Sequence, residues 1–130
     1  MLVAAMLLWV GGARAAKAGG EAEKQPDAVK ATLEGTNFCV GCALKSKEGA
    51  GAQCEVFGHL HTFRVSRAMG ADGKVIPEMQ GWVLHYLETQ KSAELIRKHH
   101  GEKLKIEGTV YPVERVLEVS AFQGIGAKEN

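Results

Sequence analysis

Aromatic residues, prolines and excess charge of either sign are all scarce in this sequence of 130 residues. Only 6% of the residues are aromatic, so a binding surface made of stacked aromatic rings is not expected. The 16 Lys and Arg residues nearly balance the 15 Asp and Glu residues, which leaves a net charge of +1. Without a basic surface we expect no nucleic-acid partner, and the sequence identifies no other partner.

Long hydrophobic runs are also lacking, because the apolar run over residues 1–10 is shorter than the roughly 20 residues that cross a bilayer. The run is followed by Gly11-Gly12 and then by Ala13-Arg14-Ala15, which offers small residues to a signal peptidase. We predict a signal peptide over residues 1–15, export to the periplasm or the medium, and no membrane span after its removal. A buried amino-terminal helix is the alternative interpretation.

The rest of the chain divides into a linker, one domain and a tail. Residues 16–29 are rich in Ala, Gly, Glu and Lys without an apolar period, which predicts a flexible linker. Residues 124–130 predict a loose tail. The composition, 45% hydrophobic and 24% charged, is that of a globular protein, so residues 30–123 are expected to form one domain.

Alternation of apolar and polar residues predicts that this domain is mainly β. Strands are predicted over residues 31–38, 54–65, 81–87, 103–110 and 115–122, with a tight turn at Asp72-Gly73. One helix is predicted over residues 92–100, capped by Ser92 and ended by Gly101. This order predicts a five-stranded OB-like antiparallel barrel with one helix between strands 3 and 4.

Two parts of the sequence carry a resemblance to a known kind of protein. One is Gly101-Glu-Lys-Leu-Lys-Ile-Glu-Gly-Thr-Val-Tyr with the following Arg115-Val-Leu-Glu-Val, and the other is Cys39-Val-Gly-Cys42 with Cys54 and Gly58-His59. Over most of residues 31–122 the chain resembles small, uncharacterised OB-like domains of exported bacterial proteins. The resemblance implies a fold and no activity.

The three cysteines and two nearby histidines form the candidate site. Cys39 and Cys42 make a C-x2-C turn, and Cys54 and His59 follow at a spacing that permits a tetrahedral Cys3His site. Such a site suits a soft metal ion such as zinc, with iron or copper as other choices. If residues 54–65 form an unbroken strand, His61 shares a face with His59 and is an alternative ligand.

A disulfide is the main rival to the metal site, because an exported protein meets an oxidising compartment. Cys39 or Cys42 paired with Cys54 would staple a small module that binds a protein or a small ligand. Pairing within C-x2-C would instead permit thiol-disulfide exchange, although residues 43–51 are poor formers of the helix that such enzymes use. Three cysteines leave one unpaired in either case, so we favour the metal site.

Other chemistries find little support. Covalent haem attachment needs His directly after C-x2-C, and Ala43 stands there. His85 is expected to be partly buried with a backbone partner. His99 and His100 point about 100° apart if they lie in the helix, and their charge suits its carboxyl end better than a shared ion. We therefore expect a structural or metal-handling domain and no turnover of an organic substrate.

Overall fold

The structure, a computed structural model, describes residues 27–51 and 53–126 of the chain. The predicted signal peptide and most of the predicted linker lie outside the described residues. Within the described part, the strands are β1 (Val29–Cys39), β2 (His61–Gly70), β3 (Val83–Tyr86), β4 (Lys103–Tyr111) and β5 (Val116–Gly124). The helices are α1 (Val40–Glu48), α2 (Gln53–Phe57) and α3 (Gln90–Lys98), with a short 3-10 helix at Pro77–Met79.

The five strands form one mixed sheet in the order β1-β2-β3-β5-β4. β1 pairs antiparallel with both β2 and β4, so the sheet returns on itself. β3 and β5 pair in parallel, with His85 opposite Val116 and Tyr86 opposite Leu117. The prediction that the protein is mainly β is confirmed, but the prediction of a purely antiparallel sheet is wrong. The parallel pair arises because α3 and β4 intervene between β3 and β5 in the chain, and a connection of that length permits parallel strands.

Strict alternation in β1 determines which of its faces lies inside the sheet. Ala31, Leu33, Gly35, Asn37 and Cys39 are buried, whereas the residues between them are half-buried. The apolar inward residues of the strands pack into a single core, which includes Leu33, Phe63, Leu84, Leu104, Ile106, Val110 and Leu117, all 0% exposed. Burial of this apolar surface is the main stabilising term of the fold.

α3 begins two residues earlier than the sequence predicts, and Thr89 rather than Ser92 is its amino-terminal cap. The Thr89 hydroxyl accepts a hydrogen bond from the Ser92 amide at 3.1 Å, and the Ser92 hydroxyl accepts one from the Thr89 amide at 3.0 Å. This reciprocal pair satisfies two amides that have no partner within the helix. Leu95 places α3 against the core, and Gly101 follows with a φ of 71°.

The predicted strand over residues 54–65 is wrong in its first half. Residues 53–57 form α2, Gly58 has a φ of 78°, and the strand begins only at His61. The Gly58 amide donates to the Cys54 carbonyl at 3.0 Å, so the left-handed glycine ends the helical turn. Phe57 is consequently 81% exposed while Phe63 is fully buried, and the two do not share a strand face.

None of the helices in residues 27–51 and 53–126 is long and apolar enough to cross a bilayer.

Candidate metal centre

The segment between β1 and β2 carries all three cysteines and His59. Cys39 is the last residue of β1, Cys42 lies in the first turn of α1, and Cys54 lies in α2. His59 lies in the short loop between α2 and β2. The two ends of the segment are held together because Cys39 pairs with His61 across the strands and the Val40 amide donates to the Leu60 carbonyl at 3.1 Å. The segment therefore returns to its starting point and brings distant ligands together.

Four ligand atoms converge in this segment. The Sγ atoms of Cys39, Cys42 and Cys54 and a ring nitrogen of His59 all lie within 4.8 Å of one another. The Cys54 Sγ is 3.3 Å from the Cys39 Sγ and 3.7 Å from the Cys42 Sγ. The Cys42 Sγ is 3.3 Å from the Nδ1 of His59. The sequence-based prediction that these four residues come together is confirmed, and they are close enough to hold one metal ion.

Three of these separations are close to those of a tetrahedral Cys3His sphere. Zinc–sulfur bonds of about 2.3 Å place two ligand sulfurs about 3.8 Å apart, and a sulfur and an imidazole nitrogen about 3.6 Å apart. The Cys42–Cys54 separation of 3.7 Å already matches, and the separations of 3.3 Å need only small adjustments. All three cysteines are free thiols in this structure, so each sulfur is available to a cation.

The pKa values of two cysteine thiols in the cluster are shifted in opposite directions. Burial raises the pKa of the Cys39 thiol, but hydrogen bonds from the Cys42 amide and from the His59, Cys54 and Cys42 side chains outweigh it and lower that pKa to about 6. The hydrogen bond with Cys39, together with burial, raises the pKa of the Cys54 thiol to about 11. One thiolate thus forms readily and its neighbour retains its proton. A bound cation would displace such protons, because thiolates are the metal ligands.

The amino end of α1 supports the Cys39 thiolate. Cys39 occupies the capping position of α1, where unpaired amides carry a partial positive charge. The Cys42 amide lowers the pKa of the Cys39 thiol, as amides at a helix start commonly do for a cysteine. Lys45 and Glu55 add only an exposed ion pair at 3.7 Å between α1 and α2.

Burial differs sharply across the four ligands. Cys39 is 4% exposed, Cys54 is half-buried, and Cys42 and His59 are exposed. An ion held by the group would therefore be covered by protein on the Cys39 side and accessible to solvent on the side of Cys42 and His59. Such a site permits exchange of the ion or of one ligand without unfolding of the sheet.

His61 lies beside the group of four and outside it. Its ring centroid is 6.1 Å from that of His59, and the two rings are tilted by 48°. Its Nδ1 is buried without a hydrogen-bond partner within the described part of the chain. Burial, with the neighbouring His100 and His59, lowers the pKa of His61. The shared strand face that suggested His61 as an alternative ligand does not exist, because α2 and Gly58 interrupt the strand.

His100 lies beside His61 and His59, whereas the sequence predicted it at the carboxyl end of the helix with no part in a shared site. It lies in the turn after α3, and its ring centroid is 4.8 Å from that of His61 and 6.4 Å from that of His59. No local pattern reports this proximity, since 39 positions separate His100 from His61 in the sequence. His85 is exposed on β3, where partial burial was expected. His99 forms a 2.7 Å contact with the Glu102 carboxylate and stacks edge-on against Phe122.

No protein-family model, no curated protein and no solved structure matches this chain. The geometry of the segment between β1 and β2 is accordingly the basis for any functional conclusion.

Proposed function

We propose that this protein binds one soft metal ion through the Sγ atoms of Cys39, Cys42 and Cys54 and a ring nitrogen of His59. The observation that carries the proposal is the convergence of these four atoms within 4.8 Å, although they come from a strand end, two helices and a loop. Four soft or borderline donors in a compact group are the usual ligands of zinc, and iron and copper(I) also accept them.

The role is structural or metal-handling, with no turnover of an organic substrate. The ligands span only residues 39–59 and fasten α1 and α2 to the ends of β1 and β2. The solvent-accessible side at Cys42 and His59 favours handling, because an ion can reach or leave the ligands from that side. Exchange with another thiol-bearing or imidazole-bearing molecule is feasible from that side.

The setting of the proposal is an exported protein with an OB-like barrel. The strand order β1-β2-β3-β5-β4, with β1 also paired to β4 and with α3 between β3 and β4, supports the barrel. The apolar run over residues 1–10 and the small residues after it support export to the periplasm or the medium. Expression with the full amino terminus, followed by fractionation and mass determination, tests the export proposal.

Metal analysis with thiol counting on protein purified anaerobically tests the metal site. We expect one tightly bound metal per chain and no reactive thiol until that metal is removed. Cys54→Ser and His59→Gln should each lower metal retention, because each removes one of the four donors. His85→Gln is the matched control, since His85 is an exposed histidine on β3 that does not belong to the group of four.

Two results would contradict the metal site. One is metal-free protein with one stable disulfide and one free thiol, even when it is purified without oxygen. The other is metal retention that Cys54→Ser and His59→Gln leave unchanged.

The first of these results would support the second candidate, a disulfide-stapled binding module. The observation that favours this candidate is the 3.3 Å approach of the Cys39 and Cys54 sulfurs, which lie 15 positions apart in the chain. Thiol-disulfide exchange through Cys39 and Cys42 remains a third proposal. It predicts rapid reduction of an oxidised form by a dithiol, which mass spectrometry after alkylation would detect.

A further inference from the structure

Three imidazoles gather beside the cysteine group. The ring centroids of His61 and His100 are 4.8 Å apart, and His59 lies 6.1 Å and 6.4 Å from them. They come from the start of β2, from the turn after α3, and from the loop that follows α2. Imidazoles held this close together are candidate ligands of one metal ion.

The two closer imidazoles, those of His61 and His100, are carried by backbone that is held against β1. His61 is paired with Cys39 across β1 and β2. The turn that carries His100 is bound to β1 at Asn37, whose amide donates to the Glu102 carbonyl at 3.0 Å and whose side-chain nitrogen donates to the His99 carbonyl at 2.9 Å. Asn37 lies two positions before Cys39 in the same strand. The backbones that present His61 and His100 are thus anchored next to the cysteine group.

The spacing of this pair fits two ligands of one ion. Zinc–nitrogen bonds of about 2.0–2.1 Å at a tetrahedral angle place two imidazole centroids about 5 Å apart. The pair is at 4.8 Å, whereas His59 is more distant from both rings and already contacts the Cys42 sulfur at 3.3 Å. Rotation of each ring about its Cβ–Cγ bond changes the direction of the nitrogens and moves the centroid little.

An unused ring nitrogen points to the same conclusion. The Nδ1 of His61 is buried and has no hydrogen-bond partner among the described residues. Buried polar atoms normally have a partner, and an unpaired one calls for an explanation such as a bound ion. An ion or its bound water beside His61 and His100 would supply that partner.

We infer that His61 and His100 form a second cation site, distinct from the Cys3His group and adjacent to it, for an imidazole-preferring divalent ion such as Zn²⁺ or Co²⁺. Two protein ligands leave the remaining positions to water, so this site binds more weakly than the four-ligand group. The existence of the site does not depend on the proposed function. We assign it the role of the position from which an ion reaches or leaves the thiolates, and this role does rest on the proposed function.

Anaerobic titration of the metal-free protein with Co²⁺ tests this inference, because thiolate ligands produce a charge-transfer absorption that imidazoles do not. Wild type should bind a first equivalent with charge transfer and a second, weaker equivalent without it. His61→Gln and His100→Gln should each raise the dissociation constant of the second equivalent by at least about tenfold, since even outer-shell changes cost 10–100-fold. The first equivalent should be unchanged.

His85→Gln is the control and should leave both equivalents as in wild type. Cys54→Ser separates the two sites: it should weaken the charge-transfer equivalent and leave the imidazole equivalent in place. A wild-type protein that binds only the charge-transfer equivalent would overturn the second site, as would a second equivalent that survives in both His61→Gln and His100→Gln. Loss of charge transfer in wild type, with an imidazole equivalent still present, would overturn the Cys3His site alone.

Discussion

The buried Asn37 side chain joins three parts of the fold. Its Nδ2 donates to the His99 carbonyl at 2.9 Å, and its Oδ1 accepts from the Tyr86 hydroxyl at 3.3 Å. Asn37 itself is 0% exposed, and both bonds are partly buried. A polar group left without its partner in such surroundings costs about 1–3 kcal/mol. Asn37 is therefore both a stabilising residue and the residue that positions the His100 turn.

We predict that Asn37→Ala lowers the free energy of unfolding by about 2–4 kcal/mol, because it removes the 2.9 Å donor to the His99 carbonyl and the acceptor of the Tyr86 hydroxyl. Urea denaturation followed by circular dichroism measures this change. Ser66→Ala is the control, since the Ser66 hydroxyl donates to the Glu34 carbonyl at 2.9 Å on the exposed side of the same strand pair. A loss in Asn37→Ala no larger than that in Ser66→Ala would contradict the prediction.

The Tyr86 phenol makes the free energy of unfolding decrease as the pH rises into the alkaline range. Burial raises the pKa of Tyr86 well above its ordinary value. Between the unfolded and the folded pKa, the unfolded chain loses this proton and the folded chain keeps it. The contribution of Tyr86 is therefore complete below a pH of about 10 and is lost as the pH rises toward the folded pKa.

We accordingly predict that the stability difference between wild type and Tyr86→Phe narrows above a pH of about 10, by up to about 1.4 kcal/mol per pH unit. Phenylalanine has no proton to lose, so the other titrating groups cancel in the comparison. Urea denaturation at a series of pH values from about 8 to 11 measures it. A difference that stays constant over this range would contradict the assigned burial effect.

Among the elements, β1 is paired over most of its length on both edges, with β2 on one side and with β4 on the other. Its register with β2 shifts between Glu34 and Gly35, where the strands come unusually close. A Cβ at Gly35 would overlap the Arg64 carbonyl oxygen and lie 2.8 Å from the Phe63 ring. The absence of a side chain at this point is what lets β1 pass β2.

We predict that Gly35→Ala destabilises the protein by at least about 2 kcal/mol, because the overlap involves backbone that cannot move without breaking strand pairs. Gly51→Ala is the matched control, since a Cβ there meets nothing within 4 Å, and it should change stability by less than about 0.5 kcal/mol. Thermal unfolding of both variants checks the pair of values. Equal melting temperatures would show that β1 has room at Gly35.

The elements also show how far local sequence reasoning reaches. The alternation in residues 103–110 and 115–122 predicts β4 and β5 well, because both strands have one face on the core and a period of two. The same reasoning extends β2 into α2, because Val56 and Phe57 favour strands by propensity. Val56 is 76% and Phe57 81% exposed, so neither residue packs in the core in a way that would stabilise a strand.

For the whole molecule, the closed core and the cysteine segment are stabilised separately. In α1 only Gly41 is buried, and the α2 side chains Val56 and Phe57 face solvent. Apolar burial therefore contributes little to the segment over residues 40–60, and a bound ion would be its main cross-link.

We predict that chelation of the metal-loaded protein increases amide hydrogen exchange at residues 40–60 by at least about tenfold, while β4 and β5 keep their protection. Hydrogen exchange read by mass spectrometry resolves the two regions. Cys54→Ser, which lacks one ligand, should resemble the chelated protein without any chelator. Exchange that rises equally in β4 and β5 would mean that the ion supports the whole fold.

The cysteine group could be predicted from sequence because its four members fall within 21 consecutive positions, 39–59. The His61–His100 pair could not, since its proximity depends on the return of β4 to β1 and on the two hydrogen bonds from Asn37. The parallel pairing of β3 and β5 could not be predicted from sequence for the same reason. Contacts between distant segments are a property of the packed molecule and leave no local pattern.

The pairing of β1 with β4 has a consequence for the order of folding. It joins residues 29–36 to residues 103–110, so a loop of about 70 residues must close before these two strands can pair. The metal ligands need the closure of a loop less than a third as long. A chain that folds in the presence of its ion would form the thiolate cluster early and the β1–β4 pairing last. Rapid-mixing experiments should then detect thiolate–cobalt absorption before the change in Trp82 fluorescence that reports the finished core.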